Sequence, residues 1–234
     1  MRNIVLNIPH SSTVGIFDDI LGRWPFNLRF YRECVIRQTD CYTDILFKPD
    51  DAEIKSVVFP YSRFVCDVER LENDPLESEG QGIIYTRFKN YRRGEFTDEE
   101  RNVLLGLRRN HLNRLSEALK EDSVLIDCHS FSSDYEEETD ICIGFNEDWS
   151  FDAKLIDVVK DGFEEAGYKV SLNKPFSNSI TPQYNYPYKS VMIEVNKKVY
   201  MHEHLCMLTF NPIKRERWHD CLNRIYQRIR MLDE

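Results

Sequence analysis

The sequence predicts an α/β fold built on a largely parallel sheet, in a single domain over residues 1–234. Short apolar runs rich in branched residues, which are typical of strands, alternate with longer stretches that have helical spacing. Such strands are expected to pair in parallel, because a parallel partner requires a long crossover and a helix supplies it. The clearest helix, 97–122, begins at Thr97 with Glu100 three residues later, which is the capping-box pattern.

The remaining elements are predicted from the same two patterns, short apolar runs for strands and helical spacing for helices. The predicted strands are 3–8, two within 56–70, 123–131, 140–146, one directly after Gly167, and 190–201. The predicted helices are 28–47 with a break near Thr39, 97–122, 152–170 with its end at Gly167, and about 212–231. The segments 9–27 and 71–82 are predicted to be loops, and a loop as long as the first is more often functional than accidental.

Charge and cysteine content exclude several classes of partner and compartment. The net charge is −9, whereas surfaces that bind nucleic acid or anionic membranes are basic. No apolar run is long enough to span a bilayer, and the N-terminal residues lack a signal-peptide pattern. Seven cysteines without a C-x-x-C pair are typical of reduced, buried thiols. We expect a cytoplasmic protein that binds neither nucleic acid nor membrane, and the sequence leaves its oligomeric state open.

Two histidines stand at the ends of two apolar strands. His10 ends "NIVLNIPH" and His129 lies in "SVLIDCHSF", and a serine follows each of them. Ligands of open α/β sheets bind outside the carboxyl ends of the strands, so these imidazoles are expected to lie together. Each could be an ordinary turn histidine, but the matched contexts favour a zinc site. Asp127 lies two residues before His129, on the same strand face, and is predicted to orient an imidazole.

A catalytic zinc takes three protein ligands and keeps one position open, so a third ligand is required. We favour Asp40, because Thr39 is predicted to begin a helical turn there and the starts of helices face the carboxyl ends of strands. Asp44 lies one helical turn later, on the same face. Asp67 and Glu69 in "CDVER" could equally supply the third ligand.

Glu194 is a single glutamate within the apolar strand "SVMIEVN". Burial of an ionised carboxylate costs several kcal/mol unless the carboxylate is paired. Glu194 is therefore either part of an ion pair in the core or part of a catalytic centre. A glutamate beside a metal-activated water is the usual general base of metal-assisted hydrolysis, and we assign this catalytic role to Glu194.

The segment "SRFVCDVER" has arginines on both sides of Asp67. Arginine binds carboxylates through two parallel hydrogen bonds, so Arg63 and Arg70 beside a zinc ion would suit an anionic substrate. For one of the two, an internal ion pair with Asp67 is the competing interpretation.

Five segments, in this order and at these spacings, resemble the N-formylglutamate amidohydrolase family: "IPHSS", "TDCYTDILF", "SRFVCDVER", "IDCHSF" and "MIEVNKKVYM". The resemblance extends from about residue 3 to residue 201. It implies a three-layer α/β/α hydrolase of the phosphorylase/hydrolase kind, with a mostly parallel mixed sheet and one Zn²⁺ ion, similar to zinc carboxypeptidases. It also implies hydrolysis of a small anionic N-acyl amino acid, with N-formyl-L-glutamate giving formate and L-glutamate.

The resemblance also implies roles for individual residues. His10 and His129 correspond to metal ligands that an acidic third ligand completes, and Glu194 corresponds to the catalytic carboxylate. The predicted substrate-binding residues are Arg63, Asp67, Arg70, Ser11 and Ser130.

The sequence departs from the family pattern at two positions. Glu69 stands where the pattern R-x-x-x-D-x-N-R has asparagine, and an ionised glutamate repels a substrate carboxylate. Glu69 is therefore expected to pair with an arginine or the metal, or the substrate differs from N-formylglutamate. Thr13 occupies the spacing after His10 at which carboxypeptidases have a glutamate ligand. Two further functions stay open: a deacylase or peptidase acting on another N-acyl amino acid or a cell-wall fragment, and a non-catalytic small-molecule binding protein.

Overall fold

A computed structural model describes residues 1–232 and contains a central six-stranded sheet. The strands are β1 (Ile4–Ile8), β2 (Lys55–Val58), β3 (Arg87–Phe88), β4 (Tyr91–Arg92), β5 (Val124–Phe131), β6 (Ile141–Gly144), β7 (Val170–Leu172), β8 (Lys189–Asn196), β9 (Met201–His202) and β10 (Met207–Leu208). The helices are α1 (Leu28–Phe30), α2 (Ile36–Gln38), α3 (Thr43–Leu46), α4 (Asp98–Ala118), α5 (Ala153–Glu165) and α6 (Pro212–Arg230). A π-helical turn, Tyr31–Val35, joins α1 to α2.

The strands of the central sheet follow the order β2-β1-β5-β8-β6-β7. All neighbours are parallel except β8 and β6, which are antiparallel. This confirms the predicted α/β fold with a mostly parallel, mixed sheet. Because β1, β5 and β8 are parallel neighbours, their carboxyl ends meet at one edge of the sheet.

Helices cover both faces of the sheet. The apolar residues of α5 and α6 join those of the strands in one large core, and α4 packs on the opposite face. α4 begins with the predicted capping box of Thr97 and Glu100, and the turn after α5 ends at Gly167, whose φ of +78° favours glycine. The sheet is thus the middle one of three layers.

The long segment between β1 and α1 is fixed by a separate, aromatic core. Trp24 packs edge to face with Phe64 and donates a hydrogen bond of 2.8 Å from Nε1 to the Phe64 carbonyl. The buried Arg93 side chain donates to the carbonyls of Gly22 and Tyr85. These bonds satisfy the loop backbone, so that residues following β1 are held in place although they form no regular element.

Residues 56–70 differ from the prediction. β2 ends at Val58, and within the described residues 59–70 no second strand forms. The apolar side chains of Val65 and Val68 are fully buried, but the backbone between them is irregular, and Asp67 N–H donates to the Ile83 carbonyl. The prediction was wrong because an apolar run buried beneath a loop has the same spacing as a strand.

The other predicted elements occur with small differences. The strand predicted over 190–201 ends at Asn196, because the Asn196 side chain accepts from Lys198 N–H and begins a 3₁₀ turn. The seven cysteines are free thiols, and all except the half-buried Cys206 are buried. Among residues 1–232, each helix is either too short or too polar to cross a membrane.

Candidate active site

A cleft of about 960 Å³ opens at the carboxyl ends of β1, β5 and β8. His10, which follows β1, His129 on β5 and Glu194 on β8 all line it. The sheet topology thus brings together the three residues on which the sequence analysis placed most weight.

His10 is buried and has one ring nitrogen without a partner. Its backbone carbonyl accepts from Asp40 N–H at 2.9 Å, which fixes the turn after β1. Its Nε2 donates to Asp67 Oδ1 at 2.9 Å, so in the neutral imidazole Nδ1 carries the lone pair. Nδ1 is buried and has no hydrogen-bond partner among residues 1–232. When it is unprotonated, such a nitrogen can bind a metal ion.

Asp67 orients His10 through a fully occupied carboxylate. Its Oδ2 accepts from Arg63 Nε at 3.1 Å, from Arg63 Nη2 at 2.8 Å and from the Tyr85 hydroxyl at 3.0 Å. Burial alone would raise the pKa of Asp67, but the Arg63 guanidinium holds it well below its usual value. Asp67 is therefore ionised and accepts the His10 N–H.

His129 is oriented in the same way by a different carboxylate. Its Nδ1 donates to Asp40 Oδ2 at 2.9 Å. Its Nε2 then faces the cleft, 3.2 Å from Glu69 Oε2 and 3.1 Å from Asp127 Oδ1. The orienting role that the sequence suggested for Asp127 is taken by Asp40, because Asp127 lies beside the nitrogen that faces the cleft.

Glu69 is held by a chain of hydrogen bonds that begins on α4. The His111 ring donates from Nε2 to Asn7 Oδ1 at 2.8 Å, and burial lowers the pKa of His111 to about 3, so the ring is neutral. Asn7 Nδ2 then donates to Glu69 Oε1 at 2.8 Å and to Asp127 Oδ1 at 2.9 Å. This leaves Glu69 Oε2 directed at the histidines, 3.2 Å from His129 Nε2 and 3.7 Å from His10 Nδ1.

The ligand atoms of His10, Glu69 and His129 lie within 4.8 Å of one another. Ligands about 2.1 Å from a tetrahedral zinc are about 3.4 Å apart, a value that lies between the two Glu69–histidine distances. The third residue of this group is Glu69, whereas the sequence favoured Asp40, which binds the opposite nitrogen of His129. Asp44, which the sequence also allowed as a ligand, is exposed on α3.

Negative charge dominates the site. Five carboxylates surround the two imidazoles: Asp40, Asp67, Asp127 and Glu194, which are buried, and Glu69, which is partly buried. Burial and the neighbouring Asp127 raise the pKa of Glu69. Although burial would lower them, the pKa values of His10 and His129 are raised by the surrounding carboxylates. The protein without a cation thus holds protons here, and a divalent ion would displace them.

Glu194 faces the same side of the sheet as His129, because the two residues are paired in register on β8 and β5. Its Oε2 is buried without a hydrogen-bond partner, and no cationic side chain in residues 1–232 forms an ion pair with it. Burial, with the nearby carboxylates, raises the pKa of Glu194 to about 8. The internal ion pair considered from the sequence is absent from the described residues, which favours a catalytic role.

The arginines of the cleft differ in how many of their guanidinium N–H groups already have partners within the protein. Arg63 forms the internal ion pair with Asp67. Arg70 Nε lies 3.7 Å from Asp67, Nη1 lies 3.6 Å from Asp74, and Nε has no hydrogen-bond partner among residues 1–232. Arg108 on α4 also lines the cleft, and its Nε is likewise buried without a partner in that range. Arg70 and Arg108 therefore keep donors for an anionic ligand.

The two predicted serines are placed differently. Ser130 is buried on the cleft wall, and its hydroxyl has no partner among residues 1–232. Ser11 is half-buried and is not among the described residues that line the cleft.

A profile of the N-formylglutamate amidohydrolase family matches residues 2–201. The chain belongs to this family. The crystal structure of an N-formylglutamate amidohydrolase from Ralstonia eutropha JMP134 is 17% identical, with a TM-score of 0.77 over 98% of this chain and 94% of that chain. A gene product of Agrobacterium tumefaciens is 18% identical, with a TM-score of 0.66 over 98% and 92%. At sequence identities this low, the structural likeness shows a shared fold. Comparison with curated protein sequences gives no significant match.

Membership of the N-formylglutamate amidohydrolase family confirms the resemblance that the five segments indicated, and it classes the chain with enzymes that hydrolyse an amide. Sequence reasoning did not assign functional roles to Asn7, His111 and Arg108. Asn7 could have been found by the argument used for Glu194, because it is a single polar residue within the apolar strand β1. His111 and Arg108 lie on an amphipathic helix, where nothing in the spacing distinguishes them from packing and surface residues.

Proposed function

We propose that this protein is a zinc-dependent amidohydrolase that cleaves the amide bond of an N-acyl amino acid. N-formyl-L-glutamate is the first substrate to test, because family membership supports it. The observation that carries the proposal is the group of two buried histidines, His10 and His129, with the partly buried Glu69 and an unpartnered ring nitrogen on His10, next to Glu194.

In this proposal the zinc ligands are His10 Nδ1, His129 Nε2 and Glu69 Oε2. Asp67 and Asp40 hold the opposite ring nitrogens, which fixes the tautomer of each imidazole. When bound, Zn²⁺ would polarise the scissile carbonyl and lower the pKa of a water at its open position towards about 7. This assigns Asp40 to orientation rather than ligation.

Glu194 is the proposed proton carrier. It stands beside His129 on the adjacent strand, and the elevated pKa of its carboxyl group suits it to take a proton near neutral pH. It accepts a proton from the attacking water and then delivers one to the nitrogen of the leaving amine. Glu194 Oε2 is buried without a hydrogen-bond partner, as expected of a carboxylate oxygen that exchanges protons with the substrate.

Arg70 is the proposed binding group for the carboxylate of the amino acid. It directly follows Glu69, so a carboxylate on its guanidinium would lie next to the metal ligands. A charge-assisted hydrogen bond from the free Nε would orient the amide for attack. Arg63 is proposed to support the site indirectly, because its guanidinium is occupied by Asp67.

The test combines metal content with turnover. Purified protein loaded with zinc is analysed for metal per chain, and formate release from N-formyl-L-glutamate is measured for the wild type and for Glu194→Gln. We expect about one zinc per chain in both proteins and a loss of turnover of at least about 100-fold in the variant. Glu99→Gln, an exposed change on α4, is the matched control.

Two results would contradict the proposal. Absence of bound zinc after reconstitution would remove the metal centre and leave a binding protein as the better interpretation. Normal turnover in Glu194→Gln, with zinc retained, would assign proton transfer to another group.

A further inference from the structure

The proposed zinc site lies between two ends of the cleft that have different chemistry. Arg108 lies on α4, which packs over β1 and β2, and Arg70 lies near Asp67 and Asp74. At the opposite end, beyond β5 and β8, the Phe176 carbonyl accepts from the Cys142 thiol of β6 at 3.2 Å. A substrate that spans the zinc site must therefore place one part on arginines and the other on a different surface.

That second surface is a row of three aromatic rings. The Phe131 and Phe176 ring centroids are 5.7 Å apart, and those of Phe176 and Tyr135 are 5.5 Å apart. Phe131, at the end of β5, is buried, whereas 55% of Tyr135 is exposed. Gln38 Nε2 donates to the Tyr135 hydroxyl at 3.1 Å, which holds this exposed ring against Phe176.

The row forms an apolar wall that leads from the catalytic residues to solvent. Phe131, Tyr135 and Phe176 all line the cleft that contains Glu194 and His129, so the row is continuous with the proposed catalytic residues. Met192, which is paired in register with Asp127 on the neighbouring strand, also lines the cleft. Rigid aromatic side chains of this kind bind apolar groups with little loss of conformational entropy.

We propose that the row of Phe131, Tyr135 and Phe176 is the acyl subsite, and that the preferred substrate has an aromatic or aliphatic acyl group larger than formyl. This deepens the proposed function and rests on it. With the amino-acid carboxylate on Arg70 and the amide at the zinc site, the acyl group extends away from α4 towards Phe176. A formyl group has no carbon beyond its carbonyl and would leave the row without a contact.

The experiment compares acyl groups on a constant amino acid. The zinc-loaded protein is assayed with N-formyl-, N-acetyl-, N-hexanoyl- and N-phenylacetyl-L-glutamate, and kcat/KM is determined for each. Burial of one methylene group corresponds to about fourfold, so we expect the hexanoyl and phenylacetyl substrates to exceed the formyl substrate by at least about tenfold. Phe176→Ala should lower kcat/KM about tenfold for these two substrates and change kcat/KM for the formyl substrate by no more than about twofold.

The controls separate a specificity role from a structural role. Phe26→Ala changes an aromatic residue that is 87% exposed outside the cleft and should leave the whole series unchanged. Zinc content of folded Phe176→Ala should equal that of the wild type. If Phe176→Ala fails to fold, Tyr135→Ala serves instead, because an exposed ring is removed at little cost to stability.

Each outcome is decisive for one of the two proposals. A wild type that hydrolyses only the formyl substrate would overturn the acyl subsite and leave the amidohydrolase function intact. An equal loss for all acyl groups in Phe176→Ala would also overturn it, since the ring would then be structural. A wild type that hydrolyses none of the four amides would refute the proposed function itself.

Discussion

Glu69 and Asp40 offer a direct test of which carboxylate completes the proposed zinc site. Both approach His129, but at opposite ring nitrogens: Asp40 Oδ2 is 2.9 Å from Nδ1, and Glu69 Oε2 is 3.2 Å from Nε2. The two nitrogens of one imidazole cannot both bind the same ion. We therefore predict that Glu69→Gln weakens zinc binding much more than Asp40→Asn does.

The magnitudes follow from the two roles. Structural zinc sites with four protein ligands bind with about 10–16 kcal/mol, which is about 2.5–4 kcal/mol for each ligand. Replacing the ligand carboxylate of Glu69 should therefore raise the Kd for zinc by about 100- to 1,000-fold. Loss of an orienting carboxylate typically costs about 10- to 100-fold, which is the range expected for Asp40→Asn.

The assay is competition for zinc against a chromophoric chelator at constant pH, with the wild type and Asp44→Asn as references. Asp44 is an exposed aspartate four residues after Asp40, so its substitution should leave the Kd unchanged. The reverse ranking, with Asp40→Asn losing zinc and Glu69→Gln keeping it, would refute the assignment and restore Asp40 as the third ligand. Circular dichroism of both variants excludes loss of fold as the cause.

Three further predictions test other parts of the molecule. Arg70→Ala should raise KM for N-acyl amino acids at least about tenfold more than for neutral amides; equal effects on both would show that Arg70 does not bind the carboxylate. Because the pKa of His111 falls from 6.5 to about 3 on folding, the unfolded chain binds the extra proton below pH 6.5, and the contribution of His111 to stability should fall by about 2 kcal/mol from pH 7 to pH 5. Measured by urea unfolding, the free energy of unfolding of the wild type should fall by about 2 kcal/mol relative to that of His111→Gln between pH 7 and pH 5, and a difference that does not change with pH would contradict the prediction. Lys197, fully buried, donates to the carbonyls of Ile36 and Arg37, so Lys197→Met should cost about 2 kcal/mol, and an unchanged Tm would contradict that role.

The sequence was most informative where a polar residue interrupts an apolar strand. His129 and Glu194 were recognised in this way, and parallel pairing of β5 with β8 brings them side by side. The third metal ligand was left open among Asp40, Asp44, Asp67 and Glu69, because the side-chain directions in 62–70 depend on an irregular segment. Asp40 and Glu69 are both acidic and both near a predicted turn, and in the folded chain they approach different ring nitrogens of His129. The packing of the folded chain determines which nitrogen each carboxylate approaches, and the spacing of residues in the sequence does not indicate it.

The site is assembled from parts of the chain that are far apart in sequence, since residues 10, 69, 129 and 194 meet only after β1, β5 and β8 have paired. Contacts between such distant segments form late, because the loops between them must close first. A zinc ion can therefore bind only to a chain that is already nearly native. Its binding energy would then appear mainly as slower unfolding, with little effect on the rate of folding. Zinc would stabilise the three strands after they have paired and would not initiate their pairing.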